Sequence, residues 1–348
     1  MGKKIILGIL IVFLVIFAIS CSSVDDLLNR EGPGEDPGEE PEQPLEGDEE
    51  APDVRMRLTT FYYPDAEGNF VVPFAKEIPW VEGIARSTLE HMIDGEKSRS
   101  FLQGTGLKPP FPTGTEIKGI TIKDGLARVD FSKEFLEYPV EEERIVVTCL
   151  LYALTEFTTV DRVELQVEGE KMSHLPGGTV IGEVMNRDRG INLEVTEGLN
   201  DLRRVNRLVL YFNTRLGEDQ LHYFVPVTRI IPETEDLARA TMDELLKGPR
   251  QGVPLYSAIP DGTELVDMAV KEEMATVNLS GELLGYRGGL ESAEHLTAQL
   301  VLSLTELPHV RQVQIYVEGR AETLEQAISL NHPHQRPVNI NVARNTAF

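Results

Sequence analysis

The chain has 348 residues, 33 of them basic and 57 acidic, giving a formal net charge of −24. That length allows two or three ordinary domains, and so acidic a chain repels polyanions, which excludes a phosphate-tracking nucleic-acid role. The two cysteines, Cys21 and Cys149, supply neither a disulfide framework nor the paired thiolates of a structural zinc site.

The chain opens with Lys3 and Lys4, an apolar run from Ile5 to Ile19, and Ser20-Cys21. A positive segment followed by an apolar one is an export signal. Its end, Ala18-Ile19-Ser20-Cys21, resembles a bacterial lipobox, with Ala18 where Leu is usual. In such signals the cysteine thiol receives diacylglycerol and, after cleavage, becomes the new N-terminus. The competing reading is an uncleaved membrane helix, for which the run is slightly short, since about 20 apolar residues are needed to span. Both readings put the rest of the chain on the extracytoplasmic face of the cell membrane. Residues 1–21 are thus read as a lipoprotein signal, with Cys21 as the lipidation site and the membrane as a partner. Residues 22–54 are rich in Glu, Asp, Pro and Gly, and about half the net negative charge lies between Val24 and Asp53. Such a segment buries too little apolar surface to offset chain entropy, so a disordered, extended acidic linker is expected.

The remainder repeats. "FPTGTEIKGITIKDGLARVDFS" (Phe111–Ser132) returns as "IPDGTELVDMAVKEEMATVNLS" (Ile259–Ser280), and Ile78–Gly95 matches Ile231–Gly248 without a gap. Glu141–Gly169 likewise matches Glu291–Gly319. "RLTTFYY" from Arg57 aligns with "RLVLYFN" from Arg207, and "RGIN" at Arg189 with "RPVN" at Arg336. A period this long marks a duplicated domain: residues 55–199 and 200–348. Leu58, Thr60 and Tyr62 alternate as one side of a half-buried strand, as do Leu208, Leu210 and Phe212. Ile84, Ala85, Thr88, Leu89, Met92 and Ile93 share a helical face, which Gly95 is expected to close as a C-cap, as Gly248 does in the second copy. Asp124-Gly125 predicts a tight hairpin turn and Glu272-Glu273 a looser one. Val146, Leu150, Leu154 and Phe157 stripe a second helix, with Cys149 at the edge of the stripe opposite Gln299 in the other copy. Each copy reads strand, short strand, helix, hairpin, helix, strand. The fold class is α+β, two tandem two-layer sandwiches, each a small mixed sheet with two helices on one face.

The stretches "FYYPD", "VVPFAKEIP", "LEHMIDG", "FPTGTEIKGITIKDGLARVDFSKEF" and "TCLLYALTEFTTVDRVELQVEG" resemble the GerMN domain of the GerM family. The likeness covers nearly everything after the acidic linker. It implies a non-enzymatic envelope lipoprotein of endospore formers, acting in sporulation and spore germination. It also implies a domain similar to the ring-building modules of secretion machines, and protein partners in an envelope-spanning complex between mother cell and forespore.

Catalytic constellations are sparse. His332 and His334 could ligate a metal, but no third ligand is marked, and an exposed turn is expected there. "GGTVIGE" after Pro176 lacks the lysine of a phosphate loop, and there is no G-x-S-x-G elbow. Thr155-Glu156 and Thr305-Glu306 recur, as do Arg86 and Arg239; the Thr-Glu pair is expected to end the second helix and meet an arginine. No cofactor is expected. Two functions remain: a scaffold that packs against similar domains, or an envelope protein that binds or acts on wall material. For the scaffold, the open sheet face offers Arg128 and Asp130, and the first strand adds Phe61 and Tyr211 on the face away from Leu58 and Leu208. These aromatics either anchor a partner or are shielded by the domain's own tail.

One outcome follows directly. Mass spectrometry of the membrane fraction should find a mature chain that begins at diacylated Cys21; an intact Met1–Ser20 segment would instead mark an uncleaved helix.

Overall fold

Twice along the chain, alternating apolar residues build a hairpin and helical stripes then roof a sheet. The computed structural model describes residues 55–343, apart from 197, 198, 200, 202 and 325–327. The signal and linker read from the sequence lie outside the described residues, all of which belong to one compact unit, Asp53–Phe348. No helix among the described residues is long and apolar enough to cross a membrane.

The first half runs β1 (Met56–Pro64), β2 (Val71–Pro79), α1 (Ile84–His91), α2 (Glu96–Phe101), β3 (Ile117–Lys123), β4 (Gly125–Phe131), α3 (Glu143–Thr155), β5 (Val160–Val167) and β6 (Glu170–Lys171). A short strand, β7 (Glu194–Val195), precedes the second half. That half runs β8 (Val205–Leu216), β9 (Leu221–Pro232), α4 (Leu237–Leu246), β10 (Leu265–Lys271), β11 (Met274–Leu279), α5 (Gly289–Leu304) and β12 (Gln312–Val317). Three short strands close it: β13 (Thr323–Leu324), β14 (Ile328–Ser329) and β15 (His334–Gln335). Each half holds a four-stranded mixed sheet, ordered β3-β4-β5-β6 and β10-β11-β12-β15. Within them β4 pairs parallel with β5, and β11 with β12. A parallel pair needs a crossover, and α3 and α5 supply it. The inward residues Ala127, Val129 and Phe131, and their counterparts Ala275, Val277 and Leu279, are fully buried beneath these helices. The architecture is the expected α+β one.

Several local expectations change. The strand after β1 is not short: β1 and β2 are equal, nine-residue partners in a ladder of their own. Gly95 does not cap α1, which ends at His91. Its backbone is extended and it starts α2, exchanging hydrogen bonds with Ser98. The second half has no such helix, and there Gly248 does take a left-handed conformation after α4. Glu272-Glu273 is no looser than Asp124-Gly125. All four residues have φ between 51° and 76° and close two-residue turns, so the glutamates accept left-handed strain that glycine avoids. Cys149 lies in the core with no exposure, and Gln299 is equally buried. The glutamine is tolerated because Asn213, Ala258 and Ser257 satisfy its amide, not because the position is peripheral.

β1 is not half wet. From Phe61 to Pro64 every residue is buried, because the second half covers the face that the first half's helices leave open. β2 and β9 lie side by side, with Phe74 and Tyr223 rings 6.4 Å apart and the Tyr223 hydroxyl donating to the Thr105 carbonyl. At this seam Gly106 and Gly217, at φ +73° and +74°, meet so closely that a Cβ on Gly106 would lie 2.3 Å from the Gly217 nitrogen.

The segments after β6 and β15 tie the halves together by crossing over. The first lays β7 parallel to β9 of the second half, and the second brings Val342 into a parallel bridge with Ala75 of β2. Each crossing segment carries one left-handed asparagine. Asn192 accepts from the Val71 N–H and donates to the Val71 and Pro226 carbonyls. Asn341 accepts from the Phe224 N–H and donates to the Phe224 and Pro73 carbonyls. The first crossing also buries charge. The Arg229 guanidinium donates to Glu194 Oε2 at 2.7 and 3.0 Å and reaches Glu244 and the Gly248 carbonyl. Glu194→Ala leaves Arg229 only Glu244 of its two carboxylates in a poorly solvating site, so it should lower unfolding stability by about 1–3 kcal/mol. Denaturant melts would check this, with Glu194→Gln expected to lose less.

Candidate functional site

Where the halves meet, a cleft of about 340 Å³ is lined by equivalent residues from both. Its chemistry begins at the ends of the two crossover helices. Thr155 ends α3 and Glu156 follows; Leu304 ends α5, followed by Thr305 and Glu306. Helix C-termini carry unsatisfied carbonyls and partial negative charge, which attract a cation. In the first half that cation is Arg187. It donates to Thr155 Oγ1 at 2.8 Å and to Glu156 Oε2 at 2.7 Å, with its guanidinium 4.7 Å from the Tyr152 ring centre. In the second half it is Arg336, which donates to the Leu302 carbonyl at 2.8 Å and to Glu306 Oε1 at 2.6 Å.

A tyrosine from each long hairpin completes each set. The Tyr62 hydroxyl donates to Glu156 Oε2 at 2.8 Å, and the Tyr211 hydroxyl donates to Glu306 Oε1 at 2.9 Å while accepting from Arg336 at 2.7 Å. Burial, reinforced by the neighbouring glutamates, pushes both phenols well above their ordinary value. Burial opposes the charge on both arginines, but the adjacent tyrosine and glutamate outweigh it and raise them. The phenols therefore stay protonated and the guanidiniums charged across the working pH range. In the second half Arg336 holds both Tyr211 and Glu306; in the first Arg187 holds Glu156, which in turn accepts from Tyr62, so the cleft is a pair of matched clamps.

The sequence's interface candidates fall elsewhere than expected. Phe61 is in the core, against Tyr63, His91 and Phe101. The alignment that paired it with Tyr211 is one residue out of step. In the ladders Tyr62 faces Pro73 and Tyr211 faces Pro226, so Tyr62 is the counterpart of Tyr211. A one-residue slip reverses every face of a strand. Tyr211 is itself buried in its clamp and offers no exposed anchor. Arg128 pairs with Glu164 on the outer sheet face. Asp130 accepts the Gly169 N–H at 2.9 Å, as Asn278 accepts that of Gly319, so it holds the turn after β5. The Thr-Glu pairs do meet arginines, but not Arg86 or Arg239. Arg86 donates to the Ile117 carbonyl and Arg239 lies near Asp243. The residues that sequence reasoning missed, Arg187, Arg336, Asn192 and Asn341, were legible as "RDRGIN" against "RPVNIN", which the shorter match at Arg189 concealed. His332 and His334 stand 5.2 Å apart by ring centres, and no group of three metal-ligating side chains occurs among the described residues.

Two α+β halves, each with a mixed sheet roofed by its crossover helix, joined through one clamped cleft, define a tandem-repeat protein. The Germane family, described as sporulation and spore germination, matches residues 60–173 and again 209–323. The spore germination protein GerM of Bacillus subtilis strain 168 is 33% identical over 291 residues, covering 82% of this chain and 78% of that protein. A solved structure of the tandem GerMN domains of the B. subtilis sporulation protein GerM superimposes with a TM-score of 0.73 at 30% identity, covering 83% of this chain and all of that one. This chain belongs to that sporulation and spore germination family.

The clamps give a graded outcome. Arg336→Ala removes the guanidinium from the Leu302 carbonyl and leaves Glu306 with the Tyr211 hydroxyl alone of its clamp donors, and should lower stability by about 1–3 kcal/mol, whereas Tyr211→Phe removes one neutral hydroxyl and should lower it by about 1 kcal/mol. Thermal melts of the two variants would check the order; equal losses would contradict it.

Proposed function

We propose that the protein is a lipid-anchored, non-enzymatic scaffold or assembly factor of the bacterial envelope, acting in sporulation and germination by packing its GerMN domains against other proteins. The observation that supports this most is the crossing of the two segments, which fuses both repeats into one block through Asn192 and Asn341 and roots each segment on its own half through Arg187 and Arg336. A rigid two-domain block fixes the spacing and angle between two similar surfaces, which is what an assembly template requires. The lipid at Cys21 would hold it on the extracytoplasmic face of the membrane. Membership of the sporulation family and the name of the B. subtilis relative agree with this setting.

A second reading, a binder of wall material, draws on two larger clefts at equivalent places in the halves. These have volumes of about 640 and 560 Å³ and are bordered by Lys108, Tyr138 and Glu142 in the first half and by Arg215, Tyr256 and His295 in the second. The two readings separate experimentally. Affinity capture from sporulating cells should recover a defined set of envelope proteins with the intact chain and lose them when Arg187 and Arg336 are both replaced by Ala. Release of soluble fragments from purified cell wall by the chain alone would overturn the scaffold.

A further inference from the structure

The outer end of the first hairpin carries an apolar corner that the second half lacks. Trp80, the sole tryptophan of the chain, is 58% exposed; beside it in sequence is Val81 at 39%, and Met56 at 50% lies across the ladder from the preceding Pro79. The Trp80 N–H donates to the Arg55 carbonyl at 2.7 Å, so the corner is bonded to the first described residue. Arg55 and Arg57 flank Met56, and both are exposed.

The second half is an internal control. There the Glu233 N–H makes the same bond to the Arg204 carbonyl at 3.1 Å, Val205 takes the place of Met56 opposite Pro232, and Thr234 follows where Val81 does. Its side chains form an exposed ion pair, Arg204 to Glu233 at 2.9 Å. The same backbone corner is thus a solvated salt bridge in one copy, whereas in the other it is tryptophan, valine and methionine, with Trp80 standing where the second half has the carboxylate of Glu233. An exposed ion pair suits water. An amphipathic indole with apolar neighbours and flanking guanidiniums suits the boundary between acyl chains and head groups, where tryptophan is enriched and arginine reaches outward to phosphate.

We propose that this corner, Arg55–Arg57 with Trp80 and Val81, docks on the surface of the bilayer that holds the anchor. The inference rests on the lipid-anchor reading. The choice of occupant follows from where the chain emerges. The corner includes Arg55, the first described residue, so it is the part of the block nearest Cys21 along the chain. The acidic excess of the chain would disfavour flat adsorption on anionic lipid, and a small corner where Arg55 and Arg57 offset the exposed Glu77 and Glu82 sets one orientation instead.

The sole tryptophan makes the test direct. The intact lipidated protein is reconstituted into phosphatidylglycerol–phosphatidylethanolamine vesicles whose acyl chains are brominated at a shallow or a deep position. Flotation reports the anchor, and Trp80 emission reports the corner. The expected result is co-flotation, blue-shifted emission, and quenching about twofold stronger by shallow than by deep bromines, the signature of an interfacial indole. Val81→Asp, an exposed substitution, should leave flotation and melting unchanged and at least halve the quenching. Co-flotation with unquenched, water-like emission overturns the docking and leaves the anchor standing. A blue shift that follows protein density without bromine quenching assigns the corner to a protein partner and also overturns it. Failure to float removes the anchor and the docking together.

Discussion

Two buried strands, β2 and β9, each depend on an asparagine that arrives from more than a hundred residues away, Asn192 for the one and Asn341 for the other. Their edges face each other across the middle of the molecule, where backbone N–H and carbonyl groups that miss a partner are costly. Asn192 and Asn341 each satisfy three such groups, and each bridges one half to the other. Once these side chains are in place, the crossing segments are committed to the opposite half. Arg187 and Arg336 then stand at the helix ends, and the cleft follows as a consequence. The left-handed backbone at both asparagines fits that role, since asparagine tolerates this conformation better than other residues with side chains.

Divergence between the halves shows how one plan absorbs different chemistry. At equivalent places in the second hairpin strand stand Lys76 and Arg229. Arg229 is neutralised by Glu194 and Glu244. Among the described residues Lys76 has no such carboxylate; it donates to the Phe101 carbonyl at 2.7 Å and sits 4.4 Å from the Phe101 ring centre. Phe101 ends α2, which among the described residues has no counterpart in the second half. The extra helix thus supplies by carbonyl and aromatic face what the other half supplies by charge, and burial lowers the Lys76 pKa accordingly.

The periodic features of the fold were legible in the sequence because duplication supplies two readings of each stripe. The β3–β4 and β10–β11 hairpins, the helical faces and the parallel crossovers all repeat where physics demands apolar residues. What stayed hidden depends on contacts between copies. The alternation of Leu58, Thr60 and Tyr62 is compatible with either phase of the strand. Only the pairing of Tyr62 with Pro73 fixes that phase, putting Phe61 in the core. No pattern within one copy announces that its tail will serve the other. Gly106 and Gly217 look like ordinary turn glycines, although each is small because its opposite number is in the way. Gln299 read as evidence of a wet position, yet it is a fully satisfied core amide.

The crossing segments also decide where the ends of the fold come to rest. The described chain starts at Arg55, beside the Met56–Pro79 end of the first hairpin, and its last bridge, Val342 to Ala75, lies on that same hairpin a few residues away. At roughly 3.3 Å per strand residue, the two exits are separated by about 10–15 Å along one ribbon. A peptide or reporter joined after Ala343 would therefore leave the block beside Arg55 instead of at the far pole. The chain could also be reopened in the β8–β9 loop and its old ends spliced by a short linker, a circular permutation that leaves both crossings uncut.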